Sequence, residues 1–273
     1  MTQIKTLPTY DPSLFEGASE VYAQYRTKYP PEVFNKLIEI FHLNGQGRLL
    51  DLGTGPGLIA IALSDKFAEV VAIDPDPEML QEAQRQAASV QANNITWIEQ
   101  GAELINPSLG KFKLATIGRA FHWMERELVL ERLYELLSDD GGIALLNTGD
   151  DPWVSSLPWK QAAIGVVKKW LGEERRTGER GQGVRKPVDP PHEVVIANSK
   201  FARQEVYQVP FEKSWTVSSY LNYLYTTAFS LKIFYGDKAE EFEADIKEAL
   251  LAVEPSGQFT ETLTSTIQVV WKH

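Results

Sequence analysis

The residues whose types and spacing bear most directly on chemistry are Asp51-Leu52-Gly53-Thr54-Gly55-Pro56-Gly57 and, further on, Asp74. Three alternating glycines let a backbone turn sharply and let a ligand approach where a Cβ would collide. The helix that follows offers unpaired N–H groups to an anionic group. The apolar run Val70-Val71-Ala72-Ile73 stops at Asp74, so an acid stands at the end of a second strand, across a cleft from the glycines. There it can accept hydrogen bonds from both hydroxyls of a ribose. Together these features favour an adenosine ligand over a tight strand-to-helix turn that binds nothing.

The third glycine selects among adenosine ligands. A dinucleotide fingerprint counted from Gly53 requires glycine at its sixth position, where this chain has Leu58, so NAD is disfavoured. A phosphate loop is absent as well, because no Gly-Lys-Ser or Gly-Lys-Thr occurs. The remaining common ligand is S-adenosylmethionine, whose zwitterionic methionine end suits a turn exposing both N–H donors and C=O acceptors. Methyl transfer from a sulfonium is an in-line displacement that asks mainly for alignment and exclusion of water.

The Asp51–Gly57 run, the Val70–Leu80 run and Ala120-Phe121-His122-Trp123 resemble the class I S-adenosylmethionine-dependent methyltransferases. Tyr22-x-x-Tyr25-Arg26-x-x-Tyr29-Pro30 resembles their small-molecule branch, which includes trans-aconitate, quinone-ring and natural-product methyltransferases. The resemblance covers roughly the first 150 residues, and the rest in outline only. It implies that Asp51 organises the turn and the methionine amine, with Gly53, Thr54 and Gly55 around it, and that Asp74 binds the ribose. Pro75 and Met79 would lie at the adenine edge. Ala102-Glu103 would sit beside the adenine amine, although Gly101 stands where relatives often carry Asp, and a solvent-facing Glu103 is the competing reading.

The same resemblance turns the backbone of Arg119 and Ala120 towards the sulfonium and makes Tyr22, Tyr25, Arg26 and Tyr29 a lid over the cofactor. Arg26 would meet the methionine carboxylate or a substrate acid. For Tyr29, packing of an N-terminal helix is the rival reading, and Thr27 departs from the proline of many relatives. His122 is the one candidate base, able to take a proton from an oxygen, nitrogen or carbon nucleophile; a structural His-Trp pair is the alternative. His42, His192 and His273 receive no role.

These residues need elements to hold them. Phe34, Leu37, Ile38 and Phe41 follow the spacing of an amphipathic helix, ended by Asn44-Gly45. The periodicity then predicts a strand to Leu52, a helix from Leu58 to about Phe67, strand Val70–Asp74, helix Pro77 to about Val90, strand Ile95–Glu99 and strand Phe112–Gly118. Helix Glu127–Leu137 and, after an Asp140-Gly141-Gly142 turn, strand Ile143–Asn147 complete the series. Beyond it come a tryptophan-punctuated helix within Pro152–Leu171, a charged mobile loop from Gly172 to Pro191, and strand Phe201–Val209. Thr216 caps a helix with Tyr220, Tyr223 and Leu224. A further helix carries Phe242, Ile246, Leu250 and Val253, and a last strand alternates from Phe259 to Trp271. The expected fold is α/β: a Rossmann-like doubly wound seven-stranded sheet, its last strand antiparallel as the resemblance implies, with a helical cap insertion. Residues 1–150 would form the lid helix and cofactor-binding core, 151–200 a cap and mobile loop, and 201–273 the rest of the sheet with a substrate-cap helix.

Composition narrows the partners. With 273 residues, 43% of them hydrophobic, the chain can bury a full core. Zero cysteines exclude disulfides and cysteine zinc sites, and four scattered histidines give no metal spacing, so no metal is expected. A net charge of −10 opposes broad contact with a phosphate backbone, so no nucleic-acid partner is expected. No signal-type segment or membrane helix is evident, which makes a cytoplasmic protein the expectation; an oligomer stays open. Trp153, Trp159, Trp215, Tyr220, Tyr223 and Phe229 favour a flat or apolar small-molecule substrate, with core packing as the rival reading. A cofactor-binding regulatory protein without catalysis, an RNA or protein methyltransferase and a nicotinamide dehydrogenase remain as alternatives.

Overall fold

The computed structural model describes residues 19–149, 151–177, 183–184, 190–201 and 203–273. Five strands run parallel: β1 (Arg48–Leu52), β2 (Glu69–Asp74), β3 (Ile95–Glu99), β4 (Phe112–Gly118) and β5 (Leu137–Thr148). Short strands β6 (Arg176–Thr177) and β7 (Gly183–Val184) pair only with each other. The 14-residue strands β8 (Arg203–Thr216) and β9 (Gln258–Trp271) then complete a seven-stranded sheet in the order β3-β2-β1-β4-β5-β9-β8, with β9 antiparallel to both neighbours.

Alternation along each strand sends successive side chains to opposite faces. Leu50, Leu52, Val71, Ile73, Ala115 and Ile117 face one side and pack with Val129, Leu130, Leu133 and Leu136 of α5 (Arg126–Leu136). Leu49, Val70, Ala72 and Leu114 face the other. There they meet Val33, Leu37 and Phe41 of α2 (Pro31–Phe41) and Ile59, Ala60 and Leu63 of α3 (Leu58–Leu63). Prolines at the first positions of α2 and of α4 (Pro77–Ser89) start those helices where an N–H has no intrahelical partner. Helix α1 (Ser19–Tyr25) precedes them all.

A third cluster lies outside the parallel part of the sheet. β5 ends at Thr148, opposite Ser265, while β9 begins seven residues earlier at Gln258, so the β8–β9 hairpin overhangs the carboxyl ends of the parallel strands. Trp215 and Phe259 on this overhang pack with Trp159, Ile164 and Val167 of α6 (Pro158–Leu171), Tyr220 and Leu224 of α8 (Val217–Leu224), and Phe242, Ile246 and Leu250 of α9 (Ala239–Val253). A reciprocal capping box between Thr216 and Ser219 turns the hairpin directly into α8. The small helix α7 (His192–Ala197) was not expected from the sequence.

Three boundaries differ from the sequence expectation. α3 stops at Leu63 and tightens into a 3-10 turn over Ser64–Lys66. The strand expected from Phe201 starts at Arg203 and runs to Thr216, paired with β9 throughout. The anticipated turn at Asp140-Gly141-Gly142 lies inside β5, where the register against β4 jumps from Phe112–Leu137 to Leu114–Gly142. Glycine is needed there for close approach, since a Cβ on Gly142 would stand 2.7 Å from the Val270 carbonyl oxygen. Among the described residues no helix is long and apolar enough to cross a membrane.

The overhang also holds a buried charge pair. Lys160 of α6 donates to Glu261 of β9, whose other oxygen accepts the Trp215 Nε1–H at 2.7 Å, and all three side chains are buried. Removing one charge strands the other away from water. Lys160→Met is therefore expected to lower the unfolding free energy in urea by about 3 kcal/mol. Adding Glu261→Gln should recover part of that loss, because a neutral amide is cheaper to bury; a loss in the single variant too small to measure would show the pair to be hydrated.

Candidate functional site

The glycine turn joins β1 to α3 at the carboxyl ends of β1, β2 and β4. Asp51 and Thr116 are direct cross-strand partners on the same face of the sheet. Asp51 is buried, and its two oxygens accept the hydroxyls of Thr54 and Thr116, each at 2.6 Å. The Thr54 N–H in turn donates to the Ile73 carbonyl at 3.0 Å, which ties the turn to β2. Asp74, at the end of β2, accepts the Gly55 N–H at 2.7 Å and the Asp76 N–H at 3.0 Å. Burial pushes both carboxyls up, each to about 6, against the hydrogen bonds that favour their ionised forms.

Gly53, with φ of 63°, adopts a backbone that side chains disfavour, and a Cβ there would come within 2.5 Å of the Ala120 Cβ. The segment after β4 therefore lies directly against the start of the turn. Arg119 sits in this segment at φ 55°, an uncommon conformation for a residue with a side chain, with its N–H bonded to the Leu146 carbonyl. Its guanidinium lies 4.9 Å from the Tyr29 ring centre, and Nη1 donates to the Thr27 carbonyl at 2.7 Å. Tyr22, Tyr29, Gly53, Thr54, Gly55, Gly118 and Arg119 help enclose a cavity of about 30 Å³.

The structure thus brings Asp51, Gly53, Thr54, Gly55, Asp74, Arg119 and Ala120 to one place. Arg26 joins it from the lid side: its guanidinium lies 5.5 Å from the Tyr22 ring centre and 5.8 Å from that of Tyr223, and Nη1 donates to the Thr226 carbonyl. Tyr25 is half-buried at the end of α1, Pro75 is half-buried and Met79 is buried in the first turn of α4. Ala102 is buried, whereas the Glu103 carboxylate turns away to accept the Glu125 N–H at 2.9 Å, at the start of α5. His122 is exposed on a 3-10 turn with its ring against Trp123, and it lines neither this cavity nor the larger one described below. Tyr29 belongs to the core. Its hydroxyl donates to the Leu146 carbonyl, and burial pushes its phenol up to about 12.

Sequence reasoning passed over two contributors. Asp76 caps α4 by accepting the N–H groups of Glu78 and Met79, a role signalled by its place just before Pro77-Glu78. Thr116 shares the Asp51 carboxylate, and its only signal was a hydroxyl inside the apolar run Leu114–Ile117. Of the aromatics once set towards a substrate, Trp159, Trp215, Tyr220 and Phe229 are buried in the third core cluster, leaving Trp153 and Tyr223 partly exposed. Of the four arginines at 175, 176, 180 and 185, in the segment expected as a charged loop, Arg175 is half-buried, pairs with Asp151 and lies 4.8 Å from the Phe229 ring centre. Arg180 and Arg185 fall outside the described residues, as does the side chain of Arg176. A second, open cleft of about 410 Å³, lined by Asp151, Ser155, Ser156, Glu261 and their neighbours, shares no residue with the glycine turn. No cluster of metal-ligating side chains occurs among the described residues.

Comparison with known proteins agrees with this geometry. Residues 49–141 match the family model described as a methyltransferase domain. An uncharacterized methyltransferase of Schizosaccharomyces pombe is 27% identical over 154 residues, 55% of this chain and 57% of the relative. The chain spans about half the length of the curated relatives it matches, 57%, 54% and 56% of the first three. Among solved structures, a protein of Anaeromyxobacter dehalogenans assigned to the type II methyltransferases superposes with a TM-score of 0.60 at 19% identity, covering 90% of this chain and 97% of that one. A methyltransferase of Thiobacillus denitrificans solved with S-adenosyl-L-homocysteine has a TM-score of 0.50 at 15% identity, covering 93% and 96%. Residues 49–141 thus match a methyltransferase domain, and the chain has the fold of the class I S-adenosylmethionine-dependent methyltransferases.

Proposed function

We propose that the protein transfers a methyl group from S-adenosylmethionine to an oxygen, nitrogen or carbon nucleophile of a small organic molecule. The observation that carries this reading is the convergence of Asp51, the Gly53–Gly55 turn, Asp74 and the Arg119-Ala120 backbone at the carboxyl ends of three adjacent parallel strands, where ligands bind in open α/β sheets. The matched methyltransferase domain and the relative solved with S-adenosyl-L-homocysteine support it. In this reading residues 1–150 hold the cofactor, while residues 151–200 and the helix carried by 201–273 cover the acceptor.

The donor set suits the cofactor. Asp74 offers an acceptor to the ribose hydroxyls once the Gly55 N–H releases it, and the freed N–H faces the methionine end. Arg26, whose Nε is buried without a hydrogen-bond partner, is the cation for the methionine carboxylate. The cavity between Tyr22, Arg119 and the glycine turn, of about 30 Å³, has room for little more than a water molecule, so in this reading Tyr22 moves aside as the methionine end enters. When bound, the cofactor supplies an electrophilic methyl carbon on a sulfonium, displaced as a neutral thioether when the nucleophile attacks in line. The chain aligns the acceptor and excludes water through the lid tyrosines. His122 would act as base only after a movement that turns its exposed ring inwards.

Calorimetric titration with S-adenosyl-L-homocysteine tests the reading directly. Binding is expected, and Asp74→Ala should weaken it by about 10- to 100-fold, the loss of charge-assisted hydrogen bonds to the ribose. No heat with this ligand, together with clear binding of NAD, would overturn the proposal.

The titration of the two acids gives a second expectation. In an unfolded chain they ionise near the ordinary carboxylate value, whereas in the folded protein they hold their protons up to about pH 6. The stability they contribute to the unliganded protein is thus present in acid and lost as pH rises through 6, by about 1 kcal/mol for each group between about pH 5 and 7.5. Ligand affinity runs the other way, because the ribose hydroxyls favour ionised Asp74. The dissociation constant for S-adenosyl-L-homocysteine should rise about tenfold per pH unit below 6, and a flat profile there would place the ribose away from Asp74.

A further inference from the structure

Two arginines meet at the lid, and the cofactor has one carboxylate. Arg26 donates to the Thr226 carbonyl and Arg119 to the Thr27 carbonyl, and Arg119 also meets the Tyr29 hydroxyl. The Nε of each is buried with no hydrogen-bond partner. Among the described residues no carboxylate pairs with either, and both guanidinium groups instead lie near the rings of Tyr22, Tyr223 or Tyr29. A guanidinium is built to bind a carboxylate with parallel N–H donors, and burying one without a counter-anion is costly. Latching the lid through carbonyl contacts leaves the buried Nε of each arginine unexplained.

Arg119 shows a further sign of functional placement. Its backbone holds a left-handed φ of 55°, and its side chain lines the cavity at the glycine turn. Strain of this kind persists where the surroundings demand a particular side-chain direction. Tyr29 lies against its guanidinium and Tyr22 lines the same cavity, so the surroundings of Arg119 are aromatic. The open cleft elsewhere is lined by Asp151 and Glu261, whose cationic partners Arg175 and Lys160 are already taken up in ion pairs.

Building on the cofactor reading above, we propose that the methyl acceptor is an organic carboxylate and that Arg119 is its receptor, with Arg26 left for the methionine carboxylate. The Tyr29 ring, 4.9 Å from the Arg119 guanidinium, and Tyr22, which lines the same cavity, give the anion apolar ring surface, which suits a small acid with an apolar body. Arg119 then fixes which acceptors enter, and the lid closes fully when the acceptor anion has filled the second fork.

The test uses the full chain saturated with S-adenosyl-L-homocysteine and calorimetric titration with 4-phenylbutyrate and its neutral amide, and with benzoate and benzamide. At least one acid is expected to bind about tenfold or more tightly than its amide, matching one charge-assisted pair. Arg119→Gln, measured with enough S-adenosyl-L-homocysteine to saturate it, should bring the ratio close to one. Arg119→Lys, which keeps the charge without the fork, should lower the ratio by about threefold and serves if the glutamine variant fails to fold. Equal binding of acid and amide, or binding of neither, overturns the inference while the cofactor reading stands. So does an unchanged acid preference in Arg119→Gln accompanied by a selective loss of S-adenosyl-L-homocysteine over 5′-methylthioadenosine, which lacks the amino-acid end. Failure of the wild-type chain to bind S-adenosyl-L-homocysteine at all would overturn both readings together.

Discussion

Asp51 is buried in the interior of an apolar sheet and, among the described residues, forms no ion pair, and the crevice is arranged around meeting its needs. A buried carboxylate must be hydrogen-bonded, and here the donors are the hydroxyls of Thr54, in the glycine turn, and Thr116, on the adjacent strand. That pair fixes the first residues of the turn against β4, and the Thr54 N–H fixes them against β2. Asp74 repeats the arrangement one strand over, gripping Gly55 from the far side. The turn therefore owes its shape to two acids more than to its glycines, which supply only the room to adopt it. Both acids are held at the margin between charged and neutral, so the same interactions that shape the crevice leave it responsive to a donor-bearing ligand.

Where the crevice is organised by acids, the lid is organised by cations. Arg119 reaches from the sheet to the lid at Thr27, and Arg26 reaches from the lid to the helical cluster at Thr226. These two contacts add to apolar packing, in which Val21 meets the helical cluster and Tyr29 the core of the sheet. The carbonyl contacts are modest in free energy and easily exchanged for an anion, which fits a lid that must open and close.

The sheet was readable from the chain because most of its parallel strands are short apolar runs set between glycine, proline and polar turns, and β1, β2 and β4 are followed by helices. β1, β3 and β4 have the expected ends for that reason. β5 and β8 were drawn too short. The glycines of β5 look like a turn in one dimension and serve close packing in three, and β8 alternates exposed with half-buried residues because it is the edge strand. The site was legible where residue type dictates backbone, as at Gly53, or where a strand ends on an acid, as at Asp74. Thr116 was not, since a threonine in a strand has no local mark of the partner it will meet across 65 positions of sequence. The aromatic residues of the last third misled in another way. Composition shows that rings are plentiful, and only packing shows that Trp159, Trp215 and Tyr220 spend themselves on one another.

The overhanging hairpin has a wider consequence. β8 and β9 are rooted in the sheet through β5, yet their upper halves carry α8 at one end and brace α6 through Lys160 and Glu261. The helical cluster, which the proposed function makes the roof of the crevice, is therefore mounted on a stalk at one border of the sheet, remote from β1 and β2, which carry the glycine turn and Asp74. Such a division lets the roof be rebuilt by mutation for a new guest while the floor is left intact, so divergence among proteins of this architecture should concentrate in the roof.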